Sequence, residues 1–315
     1  MTRTHSQELF RTARDGDRRA LGELISRVEN DRRESAALLA EMHGAGVDGF
    51  TVGIVGAPGV GKSTLVGALL GILATDRSRV GVLAIDPTSP LSGGAFLGDL
   101  IRMQTHAGQP NVFIRSMATR GHQGGLSRSA PEVVEVLRAL RFDPVIIETS
   151  GAGQVDVEVR DVADTVVVVV VPGWGDSIQV AKAGLLEVAD IFVVNKADQQ
   201  DALAAVRDLE RMLGYDRARK GRVPKVIRTV AASGAGISEL WGEILAHQAH
   251  LVSTGERLER RRRQLATIIR RLAMVEFEPV WSDGPLIELA GQVLACRVEL
   301  AEAVVKAKEA LKGLL

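Results

Sequence analysis

A short apolar run, Thr51-Val-Gly-Ile-Val55, leads into Gly56-Ala-Pro-Gly-Val-Gly61-Lys62-Ser63-Thr64 and then into a stretch with helical apolar spacing. Strand, glycine-rich turn and helix in this order constrain the fold more than any other feature, because they complete the G-x-x-x-x-G-K-[ST] pattern in the context it requires. The glycines let the backbone wrap closely around phosphate oxygens, and successive N–H groups at the helix start point at the anion. Lys62 is placed to reach the β- and γ-phosphates of a nucleoside triphosphate, and the Ser63 hydroxyl to ligate Mg²⁺. The expected phosphate cradle is therefore Gly56, Ala57, Pro58, Gly59, Val60, Gly61, Lys62, Ser63 and Thr64.

Around this turn, β-rich runs alternate with helical ones, the pattern of a mostly parallel sheet flanked by helices in an α/β P-loop NTPase fold. Strands are predicted at 50–55, 80–85, 112–115, 145–148, 165–171, 191–194 and 226–230, and helices at 62–73, 99–105, 131–141, 178–188, 203–213 and from 237 to about 250. Residues 166–171 are all valine, with no alternation, as in a strand buried on both faces. Residues 1–48 read as a helical arm, with Leu9, Phe10 and Ala13, then Leu21, Leu24, Ile25 and Val28, then Ala37, Leu38 and Met42 at helical spacing. Gly16-Asp17 breaks its first stretch. The P-loop domain spans 49–253, and a helical extension spans 254–315.

In that extension one helix is rich in arginine (Arg257, Arg260 to Arg263, Arg270 and Arg271), read as a solvated face. The other is predicted as one helix from Leu286 to Leu311. Its broad apolar face (Ile287, Leu289, Val293, Leu294, Val298, Ala301, Val304 and Val305) favours contact with a second copy over packing on its own domain.

The base is chosen by Asn195-Lys196-Ala197-Asp198, directly after an apolar strand and ~130 residues beyond the P-loop. A carboxylate at Asp198 accepts from both the N1–H and the 2-amino group of guanine, a donor pair that adenine lacks. Asn195 braces the loop, and the Lys196 stem lies along the base. The pattern therefore predicts GTP over ATP. Asp86, Asp99 and Glu148 follow strands or a glycine-rich loop on the P-loop side and are candidates for Mg²⁺, with helix capping a rival role for Asp99. Glu148 leads into Thr149-Ser150-Gly151-Ala152-Gly153-Gln154, a segment placed as a γ-phosphate sensor. The loop Pro172-Gly-Trp-Gly-Asp-Ser177 leads to Lys182, which would bring positive charge to the phosphates or sit as an exposed lysine.

Thirty-nine Lys plus Arg balance thirty-nine Asp plus Glu, so no net field draws the chain to nucleic acid or an anionic membrane. The single cysteine, Cys296, makes no internal disulfide, and no apolar run approaches the roughly 20 residues of a membrane span. An N-terminus without an apolar core and with Glu8, Asp15 and Asp17 resembles neither a signal nor a transit peptide. The expected setting is the cytoplasm, with no nucleic-acid or membrane partner.

Together the 56–64 turn, Asp86-Pro-Thr-Ser-Pro-Leu-Ser-Gly-Gly94 with Leu97-Gly-Asp99, Glu148 to Gln154, Pro172 to Asp176 and Asn195 to Asp198 resemble the MeaB/ArgK family of P-loop GTPases across nearly the whole chain. The resemblance implies a homodimeric, GTP-hydrolysing chaperone for adenosylcobalamin-dependent methylmalonyl-CoA mutase, binding GTP/GDP and Mg²⁺, gating cofactor loading and protecting the mutase. By position, Lys62 and Ser63 match the P-loop pair, and Asp86, Asp99 and Glu148 the acids of the Mg²⁺ region. Lys182 matches the lysine of a third switch loop associated with partner-stimulated hydrolysis, so Lys62, Asp99, Glu148 and Lys182 form the implied catalytic set. The family pattern Glu-Thr-Val-Gly-Val-Gly-Gln has Ser150 and Ala152 here. Where the family has a Ser-Ala pair against guanine, this chain has Val230, Ala231, Ala232 and Ser233. A kinase linked to amino-acid transport and a metallochaperone GTPase are the alternatives. The first needs an acceptor site with a positioned base, and the second a Cys/His cluster that scattered histidines and one cysteine do not supply.

Overall fold

In β5 (Thr165–Val170) every residue is buried. Val166, Val168 and Val170 enter the apolar cluster on one face, and Val167 and Val169 the cluster on the other. Successive side chains of a strand point to opposite faces, so a valine at every position requires cover on both sides. The computed structural model describes residues 3–42, 49–75, 78–86, 108–119, 126–151, 156–173, 187–215, 222–274 and 283–312.

Seven strands form one sheet: β1 (Thr51–Val55), β2 (Val80–Asp86), β3 (Val112–Ala118), β4 (Val145–Glu148), β5, β6 (Ile191–Val194) and β7 (Lys225–Arg228). Their order is β3-β2-β4-β1-β5-β6-β7, and each of the six neighbouring pairs is parallel. The helices are α1 (Arg3–Arg14), α2 (Arg18–Asn30), α3 (Arg32–Met42), α4 (Lys62–Leu73), α5 (Ala130–Ala139), α6 (Ala202–Tyr215), α7 (Ile237–Thr254), α8 (Glu256–Ala273), α9 (Asp283–Leu294) and α10 (Leu300–Lys312), with a 3-10 turn at Asp156–Asp161. One face of the sheet is covered by α4 and α7, and the other by the α1–α3 arm, α5, α6 and the 3-10 turn. In the arm, Asp17 caps α2 by accepting from the N–H groups of Arg19 and Ala20 at 2.8 and 3.0 Å, two of the orphan donors of a helix start. None of the described helices is long and apolar enough to cross a membrane.

Most predicted strands and helices fall within a few residues of those observed. β3 runs on past the predicted Arg115 to Ala118, because Ser116, polar enough to end the run, continues the ladder at a sheet edge. β7 is shorter than predicted, at Lys225–Arg228. The helix predicted at 99–105 and most of the one at 178–188 lie outside the described residues.

Two expectations for the extension are corrected. The helix predicted from Leu286 to Leu311 is broken between Leu294 and Leu300, where Cys296 has φ of 52°. The two pieces pack on one another, which lets an apolar stripe bury part of itself where one straight rod exposes it all. The arginine run of α8 is not simply a solvated face. Arg260 grips Asp190 with two hydrogen bonds of 2.8 Å, Arg261 pairs with Glu135, and Arg271 approaches Glu132 at 3.5 Å. Acids from the α/β layer lie beneath these arginines, so the charges are paired there; Arg262 remains on the exposed side, bonded to Glu259.

These contacts gather at the amino edge of the sheet, opposite the P-loop. Arg138 is 2% exposed and donates to Asp164 at 2.7 Å, to the Thr51 hydroxyl at 3.0 Å and to Gln264 of α8 at 3.1 Å. His247 lies beside them, its Nδ1 2.7 Å from the Thr165 hydroxyl and its Nε2 3.5 Å from Asp190. Burial pushes His247 down to about 4, the Arg260 and Arg222 charges adding to this against the pull of Asp190. Burial alone would raise Asp190, but its hydrogen bonds and ion pair with Arg260 hold it below the usual carboxylate range.

Candidate functional site

Because all seven strands run the same way, residues that follow strands collect at one edge. The glycine-rich turn leaves β1, Asp86 ends β2, Glu148 ends β4, Asn195 follows β6, and residues 229–233 follow β7. α4 begins at Lys62, so its first N–H groups, which have no partner inside the helix, face the turn. Gly61 precedes it with φ of 95°, and a Cβ there would stand 2.5 Å from Asn195 Nδ2. Both the conformation and the close approach require glycine.

Lys62 is buried, and its Nζ donates to the carbonyl oxygens of Gly56 and Ala57 at 2.8 and 3.1 Å. Its ammonium thus lies inside the loop its own backbone forms. Ser63 Oγ donates to Glu148 Oε1 at 2.6 Å, and both residues are buried. Strand register explains this meeting. Glu148 pairs with Ile54 of β1 and Ala84 of β2, both packed on the α4 side, so its carboxylate is on the face where α4 begins. Asp86, two residues beyond Ala84, shares that face and is buried. A serine hydroxyl and two carboxylates at a helix start form the hard, all-oxygen donor chemistry that Mg²⁺ takes while keeping several waters. Gly151, with φ of 69°, brings the segment after β4 back over the turn. A Cβ there would stand 2.5 Å from Gly56 O and 2.6 Å from Lys62 Nζ.

The other half of the site is joined to the first by one side chain. Asn195 is buried; its Nδ2 donates to Val60 O at 2.8 Å, while Oδ1 accepts from Thr229 Oγ1 and the Ala231 N–H, each at 3.1 Å. Lys196 has φ of 56°, and its stem crosses to the phosphate loop, where Nζ donates to Gly59 O at 2.9 Å. The Ala197 N–H donates to Thr229 O at 3.0 Å, leaving Asp198 exposed at the tip. Ala231 is buried, and Ala232 and Ser233 are exposed beside that tip, with Ser233 bonded through both N–H and hydroxyl to Val230 O. Nothing in the sequence marks Thr229 as part of the site, since a lone threonine after a short strand carries no motif. Asp99, Lys182 and the 172–182 loop beyond Gly173 lie outside the described residues, as do Ala152, Gly153 and Gln154.

A phosphate cradle tied by one asparagine to an Asn-Lys-x-Asp loop, at the carboxyl edge of a parallel sheet, defines a P-loop protein of the guanine-nucleotide class. The family model for the methylmalonyl-CoA mutase-associated GTPase MeaB matches residues 19–282. A protein of Pyrococcus abyssi described as a GTPase is 46% identical over 268 residues, covering 84% of this chain and 83% of its own length. The methylmalonic aciduria type A homolog of Mus musculus, described as mitochondrial, is 34% identical over 273 residues, covering 79% of this chain and 64% of its own. A crystal structure described as a LAO/AO transport system kinase superposes over 99% of both chains with a TM-score of 0.70 at 24% identity, a likeness of fold. The chain belongs to the MeaB family. It is a GTPase.

Proposed function

We propose that this GTPase is a nucleotide-controlled chaperone for adenosylcobalamin-dependent methylmalonyl-CoA mutase, gating cofactor loading and protecting the mutase. The observation that carries the proposal is the match of residues 19–282 to a family described by association with that mutase. Lys62 binds the β- and γ-phosphates, and Asp198, with the loop at Ala231 to Ser233, reads the guanine. Ser63, Asp86, Asp99 and Glu148 hold Mg²⁺ directly or through its waters. When bound, Mg²⁺ neutralises charge on the β- and γ-phosphate oxygens. A nucleotide shifts a conformation only by its differential affinity for two states, so contacts to the γ-phosphate must carry the signal. The 2.6 Å hydrogen bond from Ser63 Oγ to Glu148, which ties the residue that opens the 148–154 segment to the start of α4, supports this reading. The segments 86–99, 148–154 and 172–182 take up order with GTP, with Lys182 bringing positive charge. The partner reads that order.

The division into a helical arm (1–48), a GTPase domain (49–253) and a helical extension (254–315) is part of this proposal, as are the homodimer and the cytoplasmic setting. GTP hydrolysis by the purified protein, measured alone and with the mutase and with ATP as control, tests it. Turnover is expected to be slow, specific for GTP and raised by the mutase, and Lys62→Ala to reduce it to background. Turnover that ignores the mutase, with no complex by light scattering, would remove the chaperone role and leave the GTPase.

A further inference from the structure

α7 and α8 are both eighteen residues long and meet at Gly255, but they are held to the rest of the chain in different ways. α7 is fixed by apolar burial, with Ile237, Leu240 and Ile244 in the cluster on one face of the sheet. In α8 only Gln264 and Ile268 are buried, so little apolar surface holds it down. What seats α8 is a row of charged and polar contacts. Arg260 takes Asp190 with two hydrogen bonds of 2.8 Å, and Arg261 takes Glu135 through both carboxylate oxygens. Gln264 accepts from Arg138 at 3.1 Å and donates to Asp164 at 3.3 Å, and Arg271 approaches Glu132 at 3.5 Å.

Such a seam opens differently from an apolar one. Separated apolar side chains lose their burial energy outright, whereas separated ions regain the hydration that they gave up, so an ion pair holds its elements in register with little net stability. The Arg260, Arg261 and Arg271 side chains are 12, 19 and 26% exposed, which leaves the row within reach of water and salt. The elbow itself has freedom to turn. Gly255 ends α7 and opens α8 with φ of 78°, and a Cβ there would meet nothing within 4 Å. Beneath it a cavity of about 280 Å³ separates Val252 and Leu258 from Gly49, Arg138 and Asp164, space that a close-packed junction does not leave.

We propose that α8 is a hinged arm, latched to the α/β layer by this ionic seam and able to leave it by rotation at Gly255 while the sheet, α7 and the nucleotide site stay intact. Release uncovers Glu132, Glu135 and Asp190 and changes where the rest of the helical extension stands.

The test is the rate at which a buried thiol on α8 reacts with iodoacetamide, an uncharged reagent, in the full chain saturated with GDP. Cys296→Ser removes the exposed natural thiol. In that background Ile268→Cys puts a thiol on the hidden side of α8 without removing a member of the seam, and Val168→Cys puts one in β5 as the reference for global unfolding. The Ile268→Cys thiol is expected to react at least ~100-fold faster than the Val168→Cys thiol, because a local opening costs less than the global one. Raising KCl from ~0.05 to ~0.5 M should speed it several-fold more. Arg261→Glu, which sets a carboxylate against Glu135, should speed it by roughly tenfold or more, and Glu135→Arg combined with Arg261→Glu, which restores the pair with its signs exchanged, should bring it back. GDP affinity and the Val168→Cys rate should be unchanged throughout. An Ile268→Cys thiol no faster than the reference, a rate indifferent to salt and to Arg261→Glu, no recovery in the exchanged pair, or a reference rate that rises in step would each overturn the proposal.

Discussion

Asn195 Nδ2 donates to the carbonyl oxygen of Val60 at 2.8 Å, so the residue that opens the base-reading loop also holds the phosphate loop. The other end of the same amide accepts from Thr229 and Ala231. Three loops that follow β1, β6 and β7 are thereby locked to one buried side chain. Networks of this kind are worth most when every member is satisfied, because each abandoned buried partner costs about 1–3 kcal/mol. Asn195→Ala is expected to weaken GTP and GDP alike, by roughly 100-fold, and to lower the unfolding temperature. Thr229→Ala, which removes one of the three bonds, should do the same to a smaller degree. Titration with fluorescent GDP and GTP decides the matter. A loss confined to GTP would place Asn195 at the γ-phosphate and not in the scaffold.

Asp198 is exposed at the end of the loop that Asn195 anchors, as a carboxylate must be to meet a base arriving from solvent. Asp198→Asn replaces one acceptor oxygen by a donor and removes the charge from the other. Two charge-assisted hydrogen bonds to guanine are worth roughly 1.5–3 kcal/mol each. GTP affinity should fall by about 100-fold or more, while ATP affinity is little changed. Competition between GTP and ATP for the site reads out the ratio, and a ratio equal to wild type would move guanine selection away from Asp198.

Lys62–Leu73 is predicted to the residue because the G-x-x-x-x-G-K-[ST] pattern opens a helix directly after its last glycine, and Gly61 stands there with a left-handed backbone. The valine run of β5 was equally legible, since no other arrangement hides valine on both faces. The break after Leu294 was not, because apolar residues continue at helical spacing straight through Ala295 to Glu299 and only a left-handed Cys296 marks the turn. Nor was the pairing of Arg260 with Asp190, 70 residues apart, which depends on where α8 lands. Among the site residues, Lys62, Ser63, Glu148 and Asn195 belong to motifs whose spacing encodes their meeting. Thr229 joins the site only because the sheet sets the ends of β6 and β7 side by side, where its hydroxyl meets Asn195.

His247 gives the protein a specific acid sensitivity. Its ring titrates near 4 when folded and near 6.5 when unfolded, so between these values the unfolded chain binds one proton more than the native one. Stability due to this residue is therefore full above about pH 6.5 and falls as the pH drops towards 4, by roughly 3 kcal/mol in all. At neutral pH the 3.5 Å approach of His247 Nε2 to Asp190 is accordingly a contact of a neutral ring with a carboxylate, and the ion pair there belongs to Arg260. Asp190, held low by Arg260, adds stability above its unfolded value and loses it only at more acid pH. Urea unfolding at pH 7.5, 6.0 and 5.0 should show the midpoint falling, and His247→Gln, which keeps a partner for the Thr165 hydroxyl, should flatten that fall. An unchanged slope would assign the acid sensitivity to other groups.

The helical hairpin α9–α10 leaves a large apolar surface uncovered within one chain. Leu294 is 85% exposed, Leu300 69% and Ile287 67%, with Val304 and Val305 also exposed. Single exposed leucines are ordinary, but this many on two adjoining helices form a patch of the kind that marks an interface. Burial of a leucine side chain is worth about 1.5–3 kcal/mol, so three or four such residues against a second copy would carry much of a stable dimer. If the hairpin pairs with a second copy, Leu294→Glu with Leu300→Glu is expected to lower the mass seen by light scattering from that of a dimer to that of a monomer, while GTP affinity is kept because neither residue belongs to the nucleotide site. Removal of residues 283–315 should have the same effect. A dimer that survives both changes would assign the association to another face and leave the hairpin surface for a different partner.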